Sequence, residues 1–203
     1  MISGLIFWDM VAEQRQFITQ DAYLAMEREA FEKSEYFEGE IIPMSGASKQ
    51  HNRIKENVAG RIFLALEDSE CQSFSSDMRV HLPETTLYAY PDIVIVCGEP
   101  ELVDDNKLDN LLNPSVLIEV LSGSTEDYDR GRKFQRYRRI STFQEYVLIN
   151  SKAIEVEVWR KNELGQWTLS EQQGTPAGSF TIRTIDLTIS LQKVYARTVG
   201  LLV

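Results

Sequence analysis

Two acidic residues interrupt two short apolar segments in the middle of this 203-residue sequence. Asp92 opens the segment 92–96, and Glu119 lies within the segment 116–121. Short apolar runs rich in β-branched residues are typical of buried strands. An ionised carboxylate there is costly unless a cation, a hydrogen bond or a raised pKa compensates it. The acids are therefore either structural, each bonded to a backbone N–H or an arginine, or ligands of a shared Mg²⁺ or Mn²⁺, which prefers oxygen ligands.

A lysine on the apolar side of a predicted helix is the next candidate. The segment 125–140 predicts a helix that begins at Thr125. With about 100° between successive residues, Lys133 falls between Tyr137 and Ile140 on the apolar face. Its methylene stem can pack there while the ammonium reaches water. Alternatively, the ammonium points inward to the two acids, offsets their charge and holds a phosphate or an attacking water.

The same segment carries a run of positive charge. Residues 130–139 contain six basic residues and no acid, although the whole chain has a net charge of −10. That net charge argues against a general nucleic-acid coat protein but is compatible with a local basic patch. Arg132, Arg136 and Arg139 lie on other faces of the helix than Lys133. They are either ordinary solvated surface or, beside a metal site, contacts for a polyanionic backbone.

The surrounding elements predict a single α/β (α+β) domain with a mixed sheet packed against helices. In order, the chain predicts a helix after Thr19, a hairpin within 36–44, a helix from Ser48 to Glu67, three strands, the helix at 125–140, a strand and a C-terminal β-meander. We expect residues 1–18 to form an N-terminal extension and residues 19–203 to form one domain, because this length can bury a sizeable core.

Composition excludes some classes of protein. No apolar run approaches the ~20 residues of a membrane span, so we expect no membrane contact. Cys71 and Cys97 have no metal-binding spacing. They are most simply buried reduced thiols of a cytoplasmic protein.

The spacing of the acids resembles a known nuclease motif. Pro91-Asp92, followed after 27 residues by Glu119-Val120-Leu121, is similar to the PD-(D/E)XK motif of restriction-endonuclease-like nucleases. The ordered set also resembles the bacterial restriction-endonuclease-like family called domain of unknown function 820. The further residues that carry this resemblance, between Thr19 and Leu191, are Glu35, Tyr36, Gly39, Glu40, Ile41, Met44, His51, Ile118, Ser122, Thr125, Asp129, Lys133, Tyr137, Glu145 and Tyr146.

The resemblance implies a restriction-endonuclease-like fold and Mg²⁺-dependent hydrolysis of phosphodiester bonds in DNA, with Mn²⁺ as the other candidate ion. Asp92 and Glu119 would be the metal ligands, with the main-chain carbonyl of Val120 as a third. No nucleophilic serine or cysteine arrangement competes with this reading, and the sequence contains no phosphate-cradling glycine-rich loop.

The chain departs from the motif at one position. The motif's lysine falls at position 121, where this chain has Leu121. Lys133 can supply the missing charge if its helix packs over the strand ends. Glu40 matches an acidic position that often completes such sites. His51, in the first turn of the second predicted helix, is either a nucleic-acid contact at the rim of the site or a structural histidine.

Three functions remain open. The first is a cytoplasmic endonuclease acting on duplex DNA as a homodimer, because two sites related by a twofold axis cut both strands. The exposed edge of the meander or the apolar segment 5–8 would form the dimer contact. The second is a catalytically silent nuclease-fold module that binds nucleic acid or a protein, which Leu121 and the acidic net charge favour. The third is a two-carboxylate glycosidase, in which an inward lysine and a basic helix have no obvious role.

Overall fold

The computed structural model describes residues 17–123, 125–198 and 200–201. The helices are α1 (Gln20–Glu29), α2 (Lys49–Ala65), α3 (Glu126–Tyr128), α4 (Phe134–Tyr137) and α5 (Leu191–Val194), and a π-helical turn (Asp129–Lys133) joins α3 to α4. The strands are β1 (Ser34–Phe37), β2 (Glu40–Pro43), β3 (Cys71–Ser75), β4 (Arg79–Leu82), β5 (Leu87–Ala89), β6 (Ile93–Cys97), β7 (Asn110–Leu111), β8 (Val116–Leu121), β9 (Glu145–Asn150), β10 (Val156–Lys161), β11 (Trp167–Gln173), β12 (Ser179–Ile182) and β13 (Leu187–Ser190).

Two helices begin at the predicted capping residues. The Thr19 hydroxyl accepts a hydrogen bond from the Ala22 N–H at 3.2 Å, and the Ser48 hydroxyl accepts one from the His51 N–H at 3.1 Å. Each bond satisfies a donor that the first helical turn leaves unpaired. Ile54, Val58 and Ile62, spaced four apart on α2, are buried in the core. The two predicted helix starts are confirmed.

A six-stranded mixed sheet forms the centre of the protein, as the sequence predicts. Its strand order is β11-β10-β9-β8-β6-β3, in which β8 and β9 are parallel and the other pairs are antiparallel. Helices α2 and α5 and the β12–β13 hairpin cover one face. The α3–α4 segment and a second sheet, of order β2-β1-β5-β4-β7, cover the other face. The two acidic strands therefore lie between layers, in the interior.

Strand register decides which way the two acids point. Ile93 of β6 pairs with Ile118 of β8 in antiparallel register. Asp92, one residue before Ile93, therefore lies opposite Glu119, one residue after Ile118, at the same end of the strand pair. Ile93 and Ile118 both contact the α2 side of the sheet. Because side chains alternate along a strand, both acids point to the opposite face, under the α3–α4 segment. The predicted placement on neighbouring strands is confirmed.

The C-terminal part differs from the prediction in detail. Strands β9, β10 and β11 form the expected antiparallel meander, but β12 and β13 pair only with each other. The predicted helix at 125–140 is broken into α3, the π-helical turn and α4, and the Thr125 side chain makes no capping bond. The apolar segment 5–8 and most of the predicted extension 1–18 lie outside the described residues.

The prediction of two reduced cysteines is wrong for this structure. Cys71 of β3 lies directly opposite Cys97 of β6, and the two form a disulfide bond. Both residues are half-buried rather than buried. The sequence separation contains no sign of this pairing, because it depends on the register of an edge strand against its neighbour. Across the described ranges, no helix is long and apolar enough to cross a membrane.

Candidate active site

Asp92 and Glu119 are joined through the backbone of their strands. The Asp92 N–H donates a hydrogen bond to Glu119 Oε2 at 3.3 Å, and the Val120 N–H donates one to Asp92 Oδ2 at 2.8 Å. Both side chains line a cleft of about 840 Å³. Reciprocal bonds of this kind fix the two carboxylates relative to each other. The predicted convergence on one cleft is therefore seen.

The ammonium of Lys133 points inward, to the acids. Lys133 Nζ lies 2.9 Å from Glu119 Oε1, 2.7 Å from Glu35 Oε1 and 3.6 Å from Asp129 Oδ1. The lysine is only 4% exposed, so the alternative in which its ammonium reaches water is wrong. Lys133 ends the π-helical turn, a type of helix distortion that is frequent at functional sites. The helix packs over the strand ends, as replacement of the motif's lysine requires.

Glu35, rather than Glu40, brings a third acid to Lys133. Glu35 is buried on β1, and its Oε1 also accepts a hydrogen bond from the Tyr90 N–H at 3.1 Å. Glu40 is exposed and does not line the cleft. Both point to the same face of the hairpin, because Glu40 pairs with Phe37, two residues beyond Glu35. Glu40 therefore lies at the turn end, about 7 Å farther along the strand, and Glu35 is the acid of this hairpin that contacts Lys133.

Asp129 is the fourth acid of the cluster, and no catalytic role was predicted for it. It is buried, lines the cleft and lies one helical turn before Lys133. The sequence carried a signal for it, because residues four apart on a helix are neighbours.

The four acids give the cleft an excess of negative charge over one buried lysine. Burial raises the pKa of Glu119, and Asp129, Asp92 and Glu35 raise it further, while Lys133 acts against them. Burial likewise raises the pKa of Asp129. Burial alone would lower the pKa of Lys133, but Glu119 and Glu35 outweigh it and the pKa lies well above the ordinary value. The ammonium therefore stays charged, and an additional cation would stabilise the ionised acids.

His51 contacts one of the candidate metal ligands. Its Nε2 lies 3.1 Å from Asp92 Oδ2, and its Nδ1 is buried with no hydrogen-bond partner among the described residues. The Ser48 cap fixes this position, because it sets where α2 begins. His51 thus lies against the acids rather than only at the rim. Its predicted contact with nucleic acid stays a prediction.

The three candidate arginines lie outside the residues that line the cleft. The guanidinium of Arg136 lies 3.2 Å from the ring centroid of Phe37 and donates a hydrogen bond to the Tyr128 hydroxyl at 3.2 Å. This helps to hold Tyr128, which lines the cleft. Arg132 and Arg139 are exposed. Of the three, these two are the better placed to meet a phosphate backbone.

The donor set suits a hard divalent cation that keeps several waters. Among the described residues, no three His, Cys, Asp or Glu side chains are arranged to hold a metal ion. Asp92 and Glu119 supply two carboxylates, and Val120 lines the same cleft. Mg²⁺ typically binds through one or two carboxylates plus water and substrate phosphate. The acid excess around Lys133 gives an electrostatic reason for a cation here.

Comparison with known proteins shows the family of this chain. Residues 20–190 match the profile of the Uma2 family, described as "Putative restriction endonuclease". The chain belongs to the Uma2 family. Two relatives of this Uma2 chain are uncharacterised Synechocystis sp. proteins. One is 39% identical over 168 residues, 83% of this chain and 94% of the relative, and the other is 31% identical over 178 residues, 88% and 91%.

A solved structure supports the fold assignment. The crystal structure of a "putative nuclease" of the domain-of-unknown-function 820 type from Anabaena variabilis matches with a TM-score of 0.71. The match covers 88% of this chain and 97% of the other, at 20% identity. The Uma2 chain thus has a restriction-endonuclease-like fold.

Its Leu121 is 1% exposed and lies in the core between β8 and the α3–α4 segment, so position 121 contributes no charge to the cleft.

Proposed function

We propose that this protein is a metal-dependent endonuclease that hydrolyses phosphodiester bonds in DNA, with Mg²⁺ or Mn²⁺ as the ion. The observation that carries the proposal is the convergence of Asp92, Glu119 and Lys133 on one cleft. Membership of the Uma2 family supports the same reaction class. A glycosidase has no use for a buried lysine between its carboxylates, so the geometry favours phosphoryl chemistry.

Each residue has a distinct role in this proposal. Asp92, Glu119 and the Val120 carbonyl would hold the ion, which would polarise the scissile phosphate and lower the pKa of a bound water. Lys133 stabilises the negative charge that develops on the phosphate in the transition state. It also fixes the Glu119 carboxylate through the 2.9 Å ion pair. Glu35 holds the ammonium from the other side at 2.7 Å, which limits its motion.

We further propose that a homodimer acts on duplex DNA. Two sites related by a twofold axis cut both strands from one assembly. Among the described elements, β11 is an edge of the central sheet, which makes it a candidate contact surface. Sedimentation at micromolar concentration tests this, and a monomer at every concentration contradicts it.

A plasmid-nicking assay tests the proposed activity. We expect wild-type protein to convert supercoiled DNA to nicked and linear forms with Mg²⁺ or Mn²⁺, and to stop when the ion is chelated. Asp92→Asn and Glu119→Gln should abolish cleavage, because each removes a ligand charge. Glu40→Gln is the matched control: it removes an acid on the same face of the β1–β2 hairpin but outside the cleft, and should cleave normally. If Asp92→Asn cleaves the plasmid as fast as wild type does, the assigned site is wrong.

The second candidate, a catalytically silent module, is favoured by one observation. Leu121 occupies the position of the motif's lysine and is buried in the core. If this candidate is correct, wild-type protein binds DNA but leaves the plasmid intact with every divalent cation. The same assay, run beside a gel-shift measurement, separates the two functions.

A further inference from the structure

One rim of the cleft is formed where two parallel strands end. Leu121 of β8 pairs with Asn150 of β9, and the Ser151 N–H continues this ladder with a hydrogen bond to the Leu121 carbonyl at 3.2 Å. The residues after each strand therefore lie side by side. Gly123 follows β8, and Lys152 follows β9. A methyl group on Gly123 would overlap Lys152 Nζ, so the ammonium lies directly against this glycine.

The backbone that carries Lys152 is held in place on two sides. The Asn150 side-chain oxygen accepts hydrogen bonds from the Lys152 N–H at 2.8 Å and from the Ala153 N–H at 3.2 Å, which fixes a tight turn. The Gln50 side chain, from α2, donates to the Ser151 carbonyl at 2.9 Å. The lysine thus extends from a fixed turn, although its own side chain is exposed.

Lys152 is an exposed lysine among the described residues that line the cleft. Of the lysines that line the cleft, Lys133 is buried and engaged by three acids. Lys152 makes no ion pair with any acid in the described parts of the chain. The hydroxyls of Ser122 and Thr125 are 3.0 Å apart and bond to each other, and Thr125 also bonds to Asp129. An exposed ammonium is suited to a phosphate oxygen.

The acids of the cleft create a need for such a group. Glu35, Asp92, Glu119 and Asp129 outnumber the charge of Lys133, so an approaching polyanion is repelled except where a positive charge offsets them. Nucleic acid carries a negative charge at every nucleotide. A substrate held by one phosphate at the acids must therefore place neighbouring phosphates along the walls of the cleft.

We propose that Lys152 binds a second backbone phosphate of the nucleic acid, beside the one held at Asp92 and Glu119. The ligand is a phosphodiester of the DNA chain, read through its charge rather than through a base. This inference rests on the proposed function, because it assumes that nucleic acid enters the cleft.

Fluorescence anisotropy with a short labelled DNA duplex tests the subsite, with Ca²⁺ as a hard cation of similar oxygen preference and several salt concentrations. Lys152→Met should lower affinity by up to about fivefold, the scale of one exposed ion pair. It should reduce the slope of log affinity against log salt by about 0.9, the value for one phosphate contact on duplex DNA.

Lys161→Met is the matched control. Lys161 bonds the Ser141 carbonyl at 3.2 Å, beyond the opposite end of β9, and its loss changes the net charge equally. The control should keep the wild-type salt slope. A series of duplexes can each carry one neutral methylphosphonate, placed at a different position. At one position, this replacement should lower the DNA affinity of wild type but not that of Lys152→Met.

The outcomes separate the two proposals. If wild type binds DNA and Lys152→Met binds with the same affinity and salt slope, the subsite is wrong and the proposed function stands. If the slope of log affinity against log salt falls as much in Lys161→Met as in Lys152→Met, the effect comes from net charge alone, and the subsite is again wrong. If wild type binds no DNA with any cation, both proposals fail.

Discussion

Replacing Lys133 with methionine removes a charge from the centre of the acid cluster while keeping most of the stem. The lysine is 4% exposed and contacts Glu119, Glu35 and Asp129 within 3.6 Å. Breaking a buried ion pair by removing one partner costs about 3–5 kcal/mol, because the other charge is left uncompensated. At about 2–4 °C per kcal/mol for a chain of this size, Lys133→Met should melt roughly 10 °C below wild type at neutral pH, and still fold.

The loss should depend on pH in a defined direction. The folded-state pKa values of Glu119 and Asp129 lie above their ordinary values. Their protonation therefore favours the folded state, and this contribution is lost as pH rises from about 4 through the raised values. Without Lys133, the ionised acids lose the ammonium that lowers their pKa. The difference in unfolding free energy between mutant and wild type should therefore be small at acid pH and grow as pH rises through that window.

Urea denaturation across a pH series measures this difference. Added Mg²⁺ should raise the melting temperature more in Lys133→Met than in wild type, because the acids then lack the Lys133 ammonium. Cleavage should fall by about 100-fold or more, the scale of one lost transition-state donor. Lys152→Met, an exposed lysine on the same cleft, is the control and should leave stability unchanged. Equal stability of Lys133→Met and wild type at neutral pH would refute the reasoning.

Three further predictions concern other parts of the molecule. Glu119→Gln should weaken Mg²⁺ binding in titration calorimetry, and unchanged binding would place the ion elsewhere. Replacing Arg132 and Arg139 together should lower DNA affinity similarly for unrelated sequences and flatten its salt dependence. Equal salt slopes for this double mutant and wild type would contradict the prediction. Replacing Arg136 should mainly remove its packing on Phe37. The disulfide joins residues separated by 26 positions. Reducing it should lower the free energy of unfolding in urea by about 3 kcal/mol, and an unchanged urea midpoint would show that the bond adds no stability.

Local sequence signals predicted the elements that carry the site. The β-branched runs around Asp92 and Glu119 form adjacent strands of the central sheet. Thr19 and Ser48 begin helices as predicted. The helical position of Lys133 also predicted its burial. These features depend on residues a few positions apart, so they can be read from periodicity and capping chemistry.

Features that depend on distant residues were not readable in this way. The choice of Glu35 over Glu40 depends on how the β1–β2 hairpin is placed over the cleft. The pairing of Cys71 with Cys97 depends on the register of an edge strand.

Residue types and local spacing were enough to predict that carboxylates would be buried in two strands and that a lysine would lie on the apolar side of the following helix. Which groups neutralise these carboxylates depends on how the layers of the fold pack together. Packing brings Glu35 of the second sheet and Asp129 of the π-helical turn into contact with Lys133 and places His51 beside Asp92. Packing also leaves Lys152 exposed at the rim of the cleft. The physical reason is that Coulomb energy depends on distance through space. That distance is fixed by sheet order and layer packing, which pair residues far apart in the chain.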